Sequence, residues 1–239
     1  MPALKDYIGF YRVARTRSRS HNHYIRFEDY QANLVIKFLK SRNISLKGKK
    51  ILDIGCGRGG YSRQFAIEGA KVTALDITRE YFQNIENVSF SLGDATKMSF
   101  KDNSFDFIFC SSIIEHIKQP EKLVSEIHRV LKKGAVCYLS FPPFWSPVGS
   151  HQFKPFHYLG EKAAIKLSRF FYKVRSFTYD DKYGKLYIRK ISQVKKLVKN
   201  QDFKIISITT RMSPINFAKV PLLNELLTWH VEFIIEKRA

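Results

Sequence analysis

The sequence predicts an α/β fold, a doubly wound parallel sheet with helices on both faces, and three observations predict it. From Lys50 to Phe141, short apolar runs alternate with helix-sized amphipathic segments, the pattern of a parallel sheet crossed by helices. The first run, Ile51-Leu-Asp-Ile54, leads into Gly55-Cys-Gly-Arg-Gly-Gly60, a turn where bare backbone lets a ligand lie close. The second and third runs each close on an acid, Asp76 and Asp94.

Taken in order, residues 1–25 are polar and basic, and Arg15, Arg17 and Arg19 alternate with Thr and Ser. Read as an extended arm, this row puts three guanidiniums on one side. Glu28 to Leu39 sets Tyr30, Leu34, Val35 and Phe38 at helical spacing, a helix packed beside the first strand. Ile51, Leu52 and Ile54 suit a strand buried on both faces. Tyr61 to Glu68 is the helix after the glycine turn, with free N–H groups pointing into the site.

Lys71–Asp76 is the second strand, Arg79–Asn84 a short helix, Val88–Ala95 the third run, 96–104 a loop and Phe105–Cys110 the fourth strand. Pro120 opens a helix at its favoured first turn. Leu123, Ile127, Val130 and Leu131 form its buried stripe, Gly134 ends it, and Ala135–Phe141 is the fifth strand. Pro142-Pro-Phe-Trp-Ser-Pro-Val-Gly149 breaks the composition and opens an insertion. Within it, Glu161–Lys173 reads as a helix with Lys162, Lys166, Arg169 and Lys173 on one face. Ile188–Asn200 is a further helix, Phe203–Thr210 and His230–Ile235 are closing strands, and Pro214–Leu227 holds a short helix between them.

The acids narrow the ligand. A pyrophosphate reader carries a compact G-x-G-x-x-G without an acid two residues before its first glycine. Asp53 occupies that place; a carboxylate repels pyrophosphate and suits an ammonium group. Asp76 follows Gly59 by 17 residues, near the interval of about 20 for an acid that accepts from ribose hydroxyls. Asp94 is placed to reach an adenine amino group.

Asp53-Ile-Gly-Cys-Gly-Arg-Gly59, Asp76, Gly93-Asp94-Ala95 and Phe105-Asp-Phe-Ile-Phe-Cys-Ser-Ser-Ile-Ile-Glu-His116 resemble the ordered motifs of class I S-adenosylmethionine-dependent methyltransferases. The form is similar to the type-11 methyltransferase domain, and Ile127-His-Arg-Val-Leu-Lys-Lys-Gly134 matches that family's helix before the fifth strand. The likeness covers residues 50–141. It implies a Rossmann-like sheet with an antiparallel last strand, and S-adenosylmethionine as cofactor. It also implies a cofactor set: Asp53, Gly55, Cys56 and Gly57 beside the methionine part, Asp76 with Ile77 at the ribose, Gly93, Asp94 and Ala95 near the adenine, and Ser111 at the methionine end. The chain then divides into a basic arm and helix (1–49), a cofactor-binding core (50–141), a substrate-capping insertion (142–187) and a C-terminal completion of the sheet (188–239).

A chain of 239 residues buries a large core without disulfides. Cys56, Cys110 and Cys137 show no metal spacing and suit buried apolar positions in a reducing cytoplasm. The N-terminus has Lys5 but no apolar run after it, so no signal peptide is read, and no stretch reaches membrane-span length. The net charge of +20 is uneven: +9 over residues 1–50, zero over 51–141, +10 over 142–200 and +1 over 201–239. The excess sits in the flanks, where it raises the local concentration of anionic partners.

For catalysis the candidates are His116, just past the fourth strand, and His151 and His157 in Ser150-His-Gln-Phe-Lys-Pro-Phe-His-Tyr158. An imidazole takes a hydroxyl proton near neutral pH. The dense aromatics of the insertion, Phe144, Trp145, Phe153, Phe156, Tyr158, Phe170 and Phe171 among them, suit stacking on a sugar ring, contact with an anionic membrane or stacking of nucleobases. The expected acceptor is a small-molecule, glycan or glycolipid hydroxyl. A methyltransferase on RNA, or a fold-retaining binding module without turnover, are the alternatives.

Other chemistries match less well. Phe141-Pro-Pro-Phe144 lacks the leading Asn or Asp of adenine amino-methyltransferases, and Cys110 lacks the preceding proline of RNA cytosine-5 enzymes. Glu161, Asp180 and Asp181 are too few acids in 142–200 for metal-dependent hydroxyl methylation, so no metal is expected. Asp53 and the later motifs argue against a nicotinamide dehydrogenase.

Overall fold

The computed structural model describes residues 4–17, 19–181, 184–211, 215–220 and 223–239. Helices α1 (Leu4–Thr16) and α2 (His21–Ser41) precede the sheet. Then come β1 (Lys50–Ile54), α3 (Gly60–Ile67), β2 (Lys71–Asp76), β3 (Val88–Leu92), β4 (Phe105–Ser111), α4 (Pro120–Val130) and β5 (Leu131–Phe141). The insertion holds two 3₁₀ turns, His151–Phe153 and Phe156–Leu159, then α5 (Glu161–Tyr172) and the paired strands β6 (Asp180–Asp181) and β7 (Gly184–Lys185). Finally, α6 (Ile191–Asn200), β8 (Phe203–Thr210), α7 (Asn224–Leu227) and β9 (Val231–Lys237) close the fold.

The main sheet has seven strands in the order β3-β2-β1-β4-β5-β9-β8. The first five are mutually parallel, and β9 runs antiparallel to both β5 and β8. Period-2 alternation sorts the side chains. Ile51, Val72, Phe107, Phe109, Tyr138 and Ile234 join the cluster under α2 and α3, whereas Leu52, Leu75, Ile108, Cys137, Leu139 and Phe233 join the one under α4 and α6. Each fully buried side chain of this size contributes about 1.5–3 kcal/mol. By the same alternation Asp53 points to the α2/α3 side. Strand order reverses between β1 and β4, which places a crevice at the carboxyl ends of these strands.

Several expectations are corrected. Residues 4–16 are helical rather than an extended arm, so Arg15 belongs to a helix and not to an extended row. The second helix begins at His21, not Glu28, because Ser20 caps it by accepting from the His23 backbone N–H. Residues 79–84 make a turn, closed by Phe82 N–H to Arg79 O at 3.2 Å, and no helix. The fourth helix ends at Val130, and β5 starts at Leu131 with a register shift against β4; Gly134, at φ +70°, lies within that irregular stretch. Between β8 and β9, Phe217–Lys219 is a 3₁₀ turn and α7 a single turn, while residues 214, 221 and 222 lie outside the described set. Cys56, Cys110 and Cys137 are all buried thiols, as expected.

Candidate functional site

The glycine turn is built by two neighbours. Gly55 and Cys56 donate to the Leu75 carbonyl at 2.7 and 3.1 Å, tying the turn to β2. Gly55 has φ +71°, and a Cβ there would stand 1.9 Å from Ile113 Cδ1, so only glycine fits. Gly57 differs: at φ +53° a Cβ would meet nothing within 4 Å. Its N–H donates to Asp76 Oδ2 at 2.8 Å, and Thr78 N–H donates to Oδ1 at 3.1 Å. The acid at the end of β2 thus faces open space beside bare backbone.

Two more carboxylates close on this turn. Asp53 is buried and accepts from Ser62 Oγ of α3 at 2.6 Å. Burial pushes it up to about 7, with Asp76 adding to the rise and Ser62 opposing it. Glu28 comes from α2, which passes so near that a Cβ on Gly60 would lie 2.5 Å from Glu28 Cβ. Burial also pushes Glu28 to about 7, against the pull of Arg58 and Arg63. Cys56 sits among Asp53, Asp76 and Glu28, and burial with these charges keeps it a thiol.

Along the crevice, Ile77 is 74% and Leu92 67% exposed, two apolar side chains beside the polar end of β2. Gly93 N–H donates to Asp76 O at 2.9 Å. Asp94 Oδ1 accepts from Thr96 N at 2.7 Å and Thr96 Oγ1 at 2.8 Å, fixing the turn after β3. Ala95 packs against the core. Ser111 ends β4, where its Oγ accepts from Ser140 Oγ at 2.9 Å.

Past β4 the chain turns at Ile114–His116. This turn is held from outside the core: Arg189 Nε donates to Ile114 O at 3.1 Å, its Nη2 donates to Ile117 O, and Tyr187 N–H donates to Glu115 O at 2.8 Å. His116 and His151 come together, with ring centroids 5.5 Å apart and planes at 69°. His157 does not join them. It is fully buried in the insertion, stacked on Trp145 at 6.3 Å and close to Tyr158 at 3.9 Å. Burial lowers its pKa and keeps it neutral.

A polar network links α3 to β5, β8 and β9 near the carboxyl edge, and the sequence reading did not contain it. Arg211, buried after β8, donates to Tyr61 OH at 2.9 Å and to His230 Nε2 at 2.9 Å. His230 lies 3.1 Å from Ser140 Oγ. Tyr138 OH donates to the buried Glu232 at 2.5 Å, and Thr209 Oγ1 donates to its other oxygen at 3.2 Å. Burial opposes the Arg211 charge, but Tyr61, Tyr138 and Glu232 hold it. Burial, Arg211 and His151 together drive His230 well below the ordinary histidine range. Only the charge of Arg211 and Glu232 near strands hinted at this network; Glu28 had no signal beyond its place on a helix.

The insertion has its own small core of Phe144, Phe153, Ala164, Tyr179 and Leu186. Its outer face is unlike an ordinary soluble surface: Phe170 is 77%, Phe177 72% and Leu159 64% exposed. A cavity of about 340 Å³ is lined by Lys162, Ile165, Lys166, Arg169 and Phe177, with the Arg169 guanidinium 3.8 Å from the Phe177 ring centroid. A second hollow of about 860 Å³, bordered by Lys50, Lys71, Val88 and Ser104, lies at the amino ends of the strands. Neither is the glycine-turn crevice, where the convergent acids and open backbone are.

A family model described as a methyltransferase domain matches residues 52–139. Over 115 residues the chain is 37% identical to phosphoethanolamine N-methyltransferase 2 from Caenorhabditis elegans, covering 44% of this chain and 26% of that protein. Over 113 residues it is 28% identical to a ubiquinone biosynthesis O-methyltransferase from Coxiella burnetii, covering 44% and 48%. The chain thus spans about half or less of these curated relatives. Among solved structures it is similar to an S-adenosylmethionine dependent methyltransferase from Mesorhizobium loti, with a TM-score of 0.61, 16% identity and coverage of 84% and 96%. It is also similar to magnesium protoporphyrin IX methyltransferase from Synechocystis PCC 6803 with bound SAH, at TM-score 0.57, 17% identity and coverage of 91% and 87%. At these identities the structural likeness is one of fold.

Proposed function

Residues 52–139 are a class I S-adenosylmethionine-dependent methyltransferase domain of the type-11 kind, and from that premise we propose that the protein methylates a hydroxyl of a small-molecule, glycan or glycolipid acceptor. The observation that carries the cofactor half is Gly57. It offers open space where a side chain would stand, with Asp76 fixed beside it. When bound, S-adenosylmethionine supplies a methyl group on a positively charged sulfur, already activated toward attack.

In this reading the chain's own residues bind and orient. Asp76 keeps lone pairs free for ribose hydroxyls, and Ile77 lends an apolar lip. Gly93, Asp94 and Ala95 edge the adenine position. Gly55, Cys56, Gly57 and Ser111 line the methionine end, while Asp53 and Glu28 attract its ammonium. Alignment supplies much of the rate, and His116 with His151 takes the hydroxyl proton. His157 positions the insertion from within its core. Residues 1–49 are the basic arm and helix segment, whose α2 brings Glu28 to the glycine turn; 50–141 bind the cofactor, 142–187 cap the acceptor and 188–239 complete the sheet.

The acceptor half rests on the insertion, which couples exposed aromatics to a basic helix face. Aromatic rings stack on sugars, and Lys and Arg hold phosphate; together they suit a lipid- or phosphate-linked glycan reached from the cytoplasm at a membrane surface. Among the described residues no helix is long and apolar enough to cross a membrane. The +20 charge favours RNA as a second reading; a steep loss of RNA binding with added salt would support it.

Calorimetry with S-adenosylmethionine and with its demethylated product is the first test. Binding of neither ends the enzyme reading. Asp76→Ala should weaken cofactor binding by roughly 1–3 kcal/mol, since the part-buried Gly57 and Thr78 N–H groups and the ribose hydroxyls lose a charged acceptor; unchanged affinity means the ribose lies elsewhere.

A pH dependence follows as well. Glu28 and Asp53 stand near 7 in the folded protein, above their ordinary 4.5 and 3.8. Between about pH 4 and 7 the folded state therefore binds more protons than the unfolded one, and cofactor-free stability falls as pH rises. A net-cationic cofactor prefers both acids ionised, so its affinity should rise from pH 5.5 to 7.5, with proton release seen as buffer-dependent binding heat. Affinity flat over that range would remove both acids from the cofactor site.

A further inference from the structure

We propose that Glu115, His116 and His151 form a divalent-cation site, with two imidazoles and one carboxylate as ligands. The ion is of the class that such a set favours: Zn²⁺, Co²⁺, Mn²⁺ or Fe²⁺. The proposal deepens the methyl-transfer reading, on which it rests only for what the ion does to the acceptor.

One donor atom from each of the three residues lies within 4.8 Å of the other two. A point therefore exists within about 2.8 Å of all three, and side-chain adjustments of well under an ångström bring it to the roughly 2.0–2.2 Å of a formed site. The rings are disposed for a shared ion. Two imidazoles on one tetrahedral metal hold their centroids about 5 Å apart, and here the separation is 5.5 Å with planes at 69°.

The backbone is arranged around this convergence. Glu115 and His116 lie on the turn clamped by Arg189 and Tyr187. His151 has φ +53°, in the left-handed region that a residue with a Cβ rarely adopts, a local cost that the surrounding fold must sustain. Glu115 is only 2% exposed. Arg189 bears on it electrostatically, and a dication held at this convergence adds further favourable charge beside it.

Search of residues 142–200 for clustered acids misses this site because the ligands come from two segments 35 residues apart in sequence, Glu115 and His116 after β4 and His151 in the insertion. Three protein ligands leave a tetrahedral position open, the mark of a catalytic rather than a structural site. That position sits at the carboxyl end of β4, beside the insertion expected to cap the acceptor. An ion there orients the acceptor hydroxyl and makes its O–H more acidic, the proton passing to solvent. In the loaded protein the two imidazoles ligate instead of abstracting the proton.

The test is titration of chelator-stripped full-length protein with Co²⁺, followed by calorimetry and by visible absorption. One ion per chain, with the strong visible bands of four-coordinate cobalt, is expected. His151→Ala and Glu115→Gln should each weaken that binding by more than about tenfold, with melting curves confirming that both variants fold. Absence of saturable one-to-one binding in the unmodified protein overturns the proposal, as does equal affinity in the unmodified protein and His151→Ala. Methyl transfer that survives complete chelation also overturns it, and leaves the imidazole-base reading standing. Cobalt binding with these properties in a protein that binds no S-adenosylmethionine supports the ion site and sinks the methyl-transfer reading alone.

Discussion

His116→Ala should lower turnover by roughly 10²–10⁴-fold while S-adenosylmethionine affinity stays unchanged. The ring lies on the turn just beyond β4, past Ser111 and 5.5 Å from His151, and in the proposed reading it faces the acceptor. Whether the ring accepts the proton or holds an ion, its loss removes the group that prepares the hydroxyl. The measurement is transfer of label from methyl-labelled cofactor into a glycolipid extract, with cofactor binding followed in parallel. Turnover within a few fold of normal would make His116 a packing residue. A parallel loss of cofactor binding would place it on the wrong side of the crevice.

Arg211→Leu should cost roughly 3–5 kcal/mol of stability, the usual result when one member of a buried charged set is removed. For a chain of this size that is a fall in melting temperature of roughly 6–20 °C. Arg211 is the electrostatic partner of Glu232, and it also serves Tyr61 and His230. Its loss leaves Glu232 inside the protein with the Tyr138 and Thr209 hydroxyls and the weaker pull of Arg42 to hold it. Adding Glu232→Gln should recover part of the loss, because the isolated charge is then gone. A single variant as stable as the unmodified protein would mean that the network is not load-sharing and that Arg211 is replaceable by apolar volume.

The core of the fold was legible because it is governed by local pattern. Buried parallel strands read as apolar runs, and Pro120 marked the start of α4 within one residue. The glycine turn was equally plain, since positive φ at Gly55 and Gly57 admits few other residues. What the sequence hid was set by distant contact. Arg79–Asn84 has a helical composition, but Phe82 packs on Phe90 at 4.6 Å and beside Gly59, and the segment makes a turn instead of winding. The alternating arginines before Ser20 suggested an extended row; Tyr30 OH to Asp6 O at 3.0 Å and Lys37 to Asp6 at 2.8 Å bind α1 to α2 and make a helix worthwhile. At the site, Asp76 and Asp94 announced themselves by closing apolar runs, and Asp53 by its place two residues before Gly55. Glu28, Arg211 and His230 arrive from the two ends of the chain, and no spacing rule connects them to the crevice.

Glu28, Asp53 and Asp76 surround Cys56 with negative groups, and such a wall discriminates by charge as well as by shape. Before reaction the occupant carries a cationic sulfur; afterwards that sulfur is neutral. Nearby anions attract the first more than the second. In the proposed cofactor placement this charge difference favours the fresh molecule over the spent one, and exchange between turnovers gains from it without any moving part.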